Sequence, residues 1–264
     1  MRTMALLKLL LLMLWLGLAT SSELHRQRRL AGGTTCGPTE RPYHVKLEAT
    51  DGTRTSLCGG SLISPQWILT AAHCWKPGRT MYATVGVHPG PGEKPQVITK
   101  PEIFQDQKLR SHDIMLLKLP KPSKIQPVDL PDCQNQPTLG AFVRVAGYGA
   151  QLKGLNSQIS EYGSLQCADF EVVDCTRVRK LQIFGDPSTL YQHWFCVQSP
   201  RKYLCKGDSG GGMVYQDKIY GIVSFSGDAV FPCLEPVGAM DVCKYMNWIN
   251  NIVSLPKNSN TGGG

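Results

Sequence analysis

Eight short apolar runs, at residues 43–47, 60–63, 67–70, 82–87, 96–100, 113–119, 142–146 and 219–225, are rich in β-branched side chains and bounded by turn residues. Such runs read as strands, because a branched side chain packs well on a pleated, half-buried surface while Gly, Pro, Asn and Asp punctuate the turns. The 27 Gly and 18 Pro are spread along all 264 residues, which argues against a bundle of a few long helices. With 42% hydrophobic and 18% charged residues, the chain can fill a core. The period changes only near the end. There Val242, Tyr245, Met246, Ile249, Ile252 and Val253 fall at helical spacing behind Asp241, a natural N-cap. Pro256 closes that helix, and residues 256–264 are a polar, Gly-ended tail expected to be disordered.

The first 22 residues stand apart. Arg2 and Lys8 flank Leu6-Leu7, an apolar run covers 9–18, and small residues fill 19–22, the pattern of a secretory signal peptide. The run has ten residues where a membrane span needs about 20, so no anchor is expected. The mature protein is expected to be secreted, in an oxidising compartment. All ten Cys lie beyond the leader and read as disulfides rather than metal ligands, although spacing alone leaves their connectivity open. Residues 23–29 end in Arg26-Gln-Arg-Arg29, either a propeptide cleaved after Arg29, freeing Leu30, or a solvated basic linker. Removing residues 1–29 leaves 23 basic against 19 acidic side chains, +4 instead of +8, so the charge gives no reason to expect a nucleic-acid partner.

Three motifs carry chemistry. Gly207-Asp208-Ser209-Gly210-Gly211 allows a tight turn that presents a hydroxyl, with the Gly207 and Ser209 amides able to converge as an oxyanion hole. His73, in Thr70-Ala-Ala-His-Cys74, stands at the end of a strand beside a cysteine that would lock it. Asp113 opens an apolar strand and could fix an imidazole tautomer. Singly, a glycine-rich turn, a core histidine and a strand-edge charge would account for them. Together, in a secreted chain with a basic processing site, they point to nucleophilic catalysis.

The order His73, Asp113, Ser209 resembles the trypsin/chymotrypsin-like serine peptidases, and the resemblance extends over residues 30–255. Leu30-Ala-Gly-Gly33 is similar to that family's mature start, Cys58-Gly-Gly-Ser-Leu-Ile with 67–74 to its strand pair before the base, and Gly221-Ile-Val-Ser-Phe225 to its substrate-pairing strand. The resemblance implies an all-β fold: two antiparallel six-stranded Greek-key barrels, the active site between them, and a C-terminal helix. It implies the pairs Cys36–Cys167, Cys58–Cys74, Cys133–Cys243, Cys175–Cys196 and Cys205–Cys233. Val143 and Tyr215 stand where many relatives have a further bridge.

By the same resemblance His73, Asp113 and Ser209 are catalytic, and Gly207 with Ser209 forms the oxyanion hole. The amine of Leu30, freed by another protease cutting after Arg29, pairs with Asp208. Tyr203 replaces the acid of relatives that cut after Lys or Arg, and Ser224, Phe225, Ser226 and Val237 line the pocket walls. A small or medium uncharged side chain is therefore the expected preference. Tyr148 and Gly212 replace the family's Trp and Pro as packing changes. Residues 175–196 read as a solvated loop over a few aromatics, or as a basic exosite. His44, His88, His112 and His193 lack ligand spacing and Glu93 lacks a second carboxylate, so no metal and no cofactor are expected. The expected partners are a protein or peptide substrate, the activating protease and protein inhibitors, around a monomer. The alternative is a protease-like binding protein or toxin with weak or no turnover.

Overall fold

In the computed structural model the described residues are 33–148, 152–153, 158–159, 163–184, 187–200, 202, 204, 207–226 and 236–254. The expected signal peptide, propeptide and tail, together with Arg29, Leu30, Tyr203, Cys205 and Cys233, lie outside them.

Among the described residues sixteen strands and two α-helices follow in chain order. After β1 (Thr34–Thr35) come β2 (His44–Thr50), β3 (Thr55–Ser64), β4 (Trp67–Thr70), β5 (Thr80–Val85), β6 (Gln96–Ile98), β7 (Pro101–Gln105) and β8 (Ser111–Lys118). The second half holds β9 (Phe142–Gly147), β10 (Leu152–Lys153), β11 (Gln158–Ile159), β12 (Gln166–Val173), α1 (Thr176–Phe184), β13 (Trp194–Gln198), β14 (Gly212–Tyr215), β15 (Lys218–Ser226), β16 (Val237–Asp241) and α2 (Met246–Val253). Strands β2–β8 form one antiparallel sheet in the order β6-β5-β2-β3-β4-β8-β7. The second large sheet runs β12-β13-β16-β15-β14-β9 and closes through β9 pairing back onto β12, with β1 added outside β12, while β10 and β11 pair as a separate two-stranded ribbon. The expected two-barrel architecture is thus present as one closed six-stranded barrel and one seven-stranded sheet curled into a half-barrel.

Alternation of side chains decides which faces are buried. In β8, Ile114, Met115, Leu116 and Leu117 are all fully buried, a run covered on both faces, as its place between β4 and β7 under a second barrel requires. The main core cluster runs from Val45, Leu47 and Leu62 in the N-terminal sheet through Trp194, Ile222 and Met240 to Ile249 of α2. A second cluster fills the closed barrel around Val143, Phe170, Val197 and Met213, with Tyr215 packed against it. Val143 and Tyr215 therefore share one apolar cluster where relatives have a bridge. Asp241 accepts a hydrogen bond from the Cys243 N–H (3.1 Å), and its turn leads into α2.

Four of the five expected disulfides, Cys36–Cys167, Cys58–Cys74, Cys133–Cys243 and Cys175–Cys196, are formed. Residues 176–184, read from sequence as loop, form the helix α1; Asp174 accepts from the Thr176 N–H (2.7 Å) at its start. Among the described residues no helix is long and apolar enough to cross a membrane.

Two expectations follow. Leu116→Ala removes a fully buried side chain at the centre of β8 and is expected to cost about 2–5 kcal/mol. Leu139→Ala, at a side chain 68% exposed, should stay within about 0.5 kcal/mol in the same denaturation series. The second concerns acid. Burial, with Arg41 and His88 nearby, pushes His44 from 6.5 down to about 3. Its neutral form is favoured in the folded state, so its contribution is complete above pH 6.5 and is lost as pH falls towards 3. His44→Gln should reduce the acid slope of stability by about 1.4 kcal/mol per pH unit, measured by chemical denaturation across that window.

Candidate active site

Strand β4 ends at Thr70, and a single 3₁₀ turn, Ala72–Cys74, carries His73. The Cys58–Cys74 bridge ties that turn to β3. β4 pairs with β8 so that Thr70 faces Met115, and continuing the antiparallel register sets Asp113 across from residue 72. Pairing alone thus delivers a carboxylate to the base of the histidine turn. Asp113 accepts from the His73 backbone N–H through Oδ1 (2.8 Å) and from His73 Nδ1–H through Oδ2 (2.8 Å). The imidazole is fixed with its proton on Nδ1, which leaves the Nε2 lone pair directed away from the carboxylate as a base. The His73 side chain is 38% exposed and that of Asp113 only 18%, so the base is open while its partner is covered.

Ser224 of β15 donates a third hydrogen bond to Asp113 Oδ2. The sequence placed Ser224 among the pocket walls, whereas its hydroxyl is directed at the carboxylate. Phe225, next in the strand, packs its ring over Gly238 and edge-on against Trp194, at 5.0 Å between centroids. The backbone of Ser226 pairs with Val237, and Val237 lies with Leu204 in the core of the closed barrel.

The Ser209 turn is pressed against the same place. The Gly59 N–H donates to the Ser209 carbonyl (2.7 Å), and the Gly210 N–H donates to Val223 O (2.7 Å), so the turn is gripped by one strand from each sheet. Gly210 sits at φ +79°, and a Cβ there would fall 2.2 Å from Thr70 Oγ1 and 2.4 Å from Gly59 O. Only glycine fits both the conformation and the space. That contact sets the Ser209 turn beside Thr70, three residues before His73. Among the described residues the N–H groups of Gly207 and Ser209 donate to no protein acceptor, and Ser209 makes no side-chain hydrogen bond to His73. Asp208 is fully buried, its carboxylate filling the space a Cβ on Gly147 would need.

Sequence reasoning missed a clamp around residues 111–113. The Asp113 N–H donates to Gln192 Oε1 (2.7 Å), and the Tyr191 hydroxyl donates to Ser111 O (3.0 Å). The Tyr245 oxygen accepts from the His193 N–H (3.1 Å), and its own O–H donates to His112 Nδ1 (2.8 Å). That assignment puts the His112 proton on Nε2, which faces Asp106 Oδ2 at 3.6 Å, beyond hydrogen-bond range. Burial lowers the His112 pKa and raises that of Tyr245, so both groups are held neutral. None of these contacts has a signal in the sequence, because residues 187–193 are far from 111–113 along the chain.

The two groupings of metal-type donors among the described residues, Cys58/His73/Cys74 and Cys36/Glu40/Cys167, each contain a disulfide pair and offer no thiolate.

Replacing Gln192 by Leu strands the Asp113 N–H without its acceptor. The expected cost is about 1–3 kcal/mol of stability, read from denaturant midpoints against the wild type.

The comparisons with known proteins agree with this geometry. A sequence profile of the family described as Trypsin matches residues 30–249. Trypsin V-A of Rattus norvegicus is 33% identical over 240 residues, covering 86% of this chain and 90% of its own length. Kallikrein-14 of Homo sapiens is 29% identical over 247 residues, covering 89% and 88%. The solved structure of GrC superposes with a TM-score of 0.69 at 26% identity, covering 85% of this chain and 99% of its own. On the profile match, the shared fold and the relatives together, the chain belongs to the trypsin family of serine proteases.

Proposed function

We propose that the protein is a secreted serine endopeptidase made as a zymogen, in which Ser209, His73 and Asp113 act as the catalytic triad. One observation carries this reading: His73 is held by two hydrogen bonds to a single carboxylate, which leaves Nε2 free as a base beside the Ser209 turn. In the reaction His73 Nε2 takes the Ser209 proton as Oγ attacks a peptide carbonyl. The tetrahedral oxyanion is stabilised by the N–H groups of Gly207 and Ser209. His73 then returns the proton to the leaving amine, and water releases the acyl group by the same steps in reverse roles. Ser224 and Gln192 hold Asp113 while the imidazolium forms.

Activation follows from the cost of burying charge. Asp208 is fully buried, and a new α-ammonium at Leu30 would pair with it and organise the adjoining Gly207 amide. Leu30-Ala31 lacks the two β-branched side chains usual at that start, which weakens insertion. With Tyr203 at the pocket base there is no acid for a basic side chain, and uncharged small or medium residues are the favoured substrates. Such an enzyme does not cut after its own Arg29, so another, basic-directed protease activates it.

The second reading is a binding protein with weak or no turnover. It draws on the lack of a Ser209–His73 hydrogen bond, a spacing that many uncomplexed enzymes tighten only on binding substrate.

Labelling with a fluorophosphonate probe separates the two. Label on the chain cleaved after Arg29, with none on the uncleaved chain or on Ser209→Ala, is the expected result. Absence of label on folded, cleaved protein would make the binding reading the better one. Asp208→Asn is expected to lose activity even when correctly cleaved. Full activity in that variant would remove the activation step.

A further inference from the structure

The clamp on residues 111–113 turns on a histidine that the proposed reaction does not use. Successive side chains of β8 alternate between faces, so His112 projects away from Asp113 and His73, towards the turn before α2. It is 2% exposed. Phe104 of β7 packs edge-on against its ring at 4.9 Å, and Tyr191, Tyr245 and His193 lie at 5.4, 5.6 and 5.9 Å between centroids. The titratable and charged groups around it are Asp106 and Arg110 of the β7–β8 hairpin, Tyr191 and His193 before β13, and Tyr245 before α2. Asp113 follows it in β8, and Asp241 stands behind His193.

Residues 191–193 lie along 111–113 with one tie at each step. Tyr191 bonds to Ser111 and Gln192 to Asp113, while His193 and His112 meet on the Tyr245 hydroxyl. Among the described residues that hydroxyl has no other hydrogen-bond partner. His112 Nε2 is, among the described residues, the single buried side-chain nitrogen or oxygen without a hydrogen bond. Asp106 Oδ2, 3.6 Å away, is already held by Arg110 through Nε (2.7 Å) and Nη2 (2.6 Å). The site therefore suits a neutral imidazole. A proton on Nδ1 would turn the acceptor of the Tyr245 O–H into a donor, and the displaced hydroxyl proton has no second acceptor. A buried cation so poorly met is costly, so proton uptake and loosening of this packing go together. Burial lowers the His112 pKa from 6.5 against the pull of Asp106. The stability that neutral His112 contributes is thus complete above pH 6.5 and is lost as pH falls.

We infer that His112 is a positioning residue for the Asp113 carboxylate and a proton-operated release for its clamp: neutral, it ties Tyr245 and residues 191–193 to β8; protonated, it lets them go. The inference rests on the reading of Asp113 as a member of the triad. On release Asp113 loses the Gln192 acceptor of its N–H, and with it the fixed orientation it gives His73. Activity then falls in acid through two protons, one on the base His73 and one on His112.

Two measurements test this. The first is the rate of fluorophosphonate labelling of the chain cleaved after Arg29, followed from about pH 4 to pH 8. The wild type should show an acid limb with the steepness of two protons. His112→Asn, whose Oδ1 can still accept from Tyr245 but does not titrate, should show one. Tyr245→Phe, which keeps the ring and removes the tie, should also show one, with labelling about tenfold slower at neutral pH. It is the second variant should His112→Asn fail to fold. The second measurement is amide hydrogen exchange, by NMR, on the Ser209→Ala chain, where the Asp113 and His193 N–H groups should lose protection as the His112 ring signal titrates. This measurement needs no turnover, so it decides the release even for a chain that takes no label, a result that would remove the catalytic reading alone. A wild-type acid limb no steeper than that of His112→Asn, or amides that stay protected after His112 is charged, would each overturn the proposal.

Discussion

The Asp113 carboxylate is where the two halves of the molecule are joined. It belongs to β8 of the N-terminal sheet, yet it accepts from Ser224 of the closed barrel as well as from His73 beside it. Its own N–H is accepted by Gln192, from the segment that leads into the closed barrel. A largely covered charge of this kind is tolerable only when its lone pairs are met by donors. The requirement works in both directions. The barrels must dock in one arrangement to satisfy Asp113, and once docked they leave the imidazole one tautomer and one orientation.

The serine side of the cleft is fixed by close approach rather than by charge. Gly210 lies against Thr70 and Gly59, and Gly59 lies within 3.0–3.1 Å, by its missing Cβ, of Gly211 and the His44 ring. A side chain at Gly210 would collide with Thr70 and Gly59, and one at Gly59 would force Gly211 or the His44 ring to give way by a few tenths of an ångström. Backbone thus meets backbone across the interface, and the hydrogen bonds from Gly59 to Ser209 and from Gly210 to Val223 hold the turn without any flexible side chain. The buried ring of His44 completes this wall, held neutral by the same burial and braced edge-on by Tyr148 (5.7 Å). Tyr148 in turn donates its hydroxyl to Val87 O (2.8 Å), a bond the residue's phenol allows at a position where relatives carry an indole.

Much of this was legible in the sequence because it rests on local pattern. The run 67–70 is β4 to the residue, 113–119 lies on β8 up to the strand's last residue, Lys118, and Asp241 caps the turn before α2. Gly207 to Gly211 announced a tight turn because glycine spacing limits backbone conformation directly. Strands β12, β13 and β16 were missed for a physical reason. They are defined by pairing with distant strands, such as Trp194 with Met240 and Val172 with Val197, and segments such as Gln166–Val173 mix Asp and Glu with the buried Cys167, Phe170 and Val172. Ser224 and Gln192 were invisible as partners of Asp113 because their roles come from the docking of one barrel on the other. Pairing of cysteines lay beyond spacing and came from the family resemblance.

The helix α1 shows how far that docking reaches. Its cations read from sequence as part of a solvated loop, or alternatively of a basic exosite, yet Arg179 stacks its guanidinium on Trp194, 4.3 Å from the ring centroid. Trp194 donates through Nε1 to Thr189 O (2.7 Å) and packs edge-on against Phe225, the residue after Ser224. Thr189 lies in the 3₁₀ turn Pro187–Tyr191, whose last residue reaches Ser111 and is followed by Gln192 on Asp113. The bridge Cys175–Cys196 closes this segment at its two ends. Arg179 is therefore part of a continuous packing path from α1 to the Asp113 carboxylate and the strand beside it. Its cation is better explained as a brace than as half of an exosite.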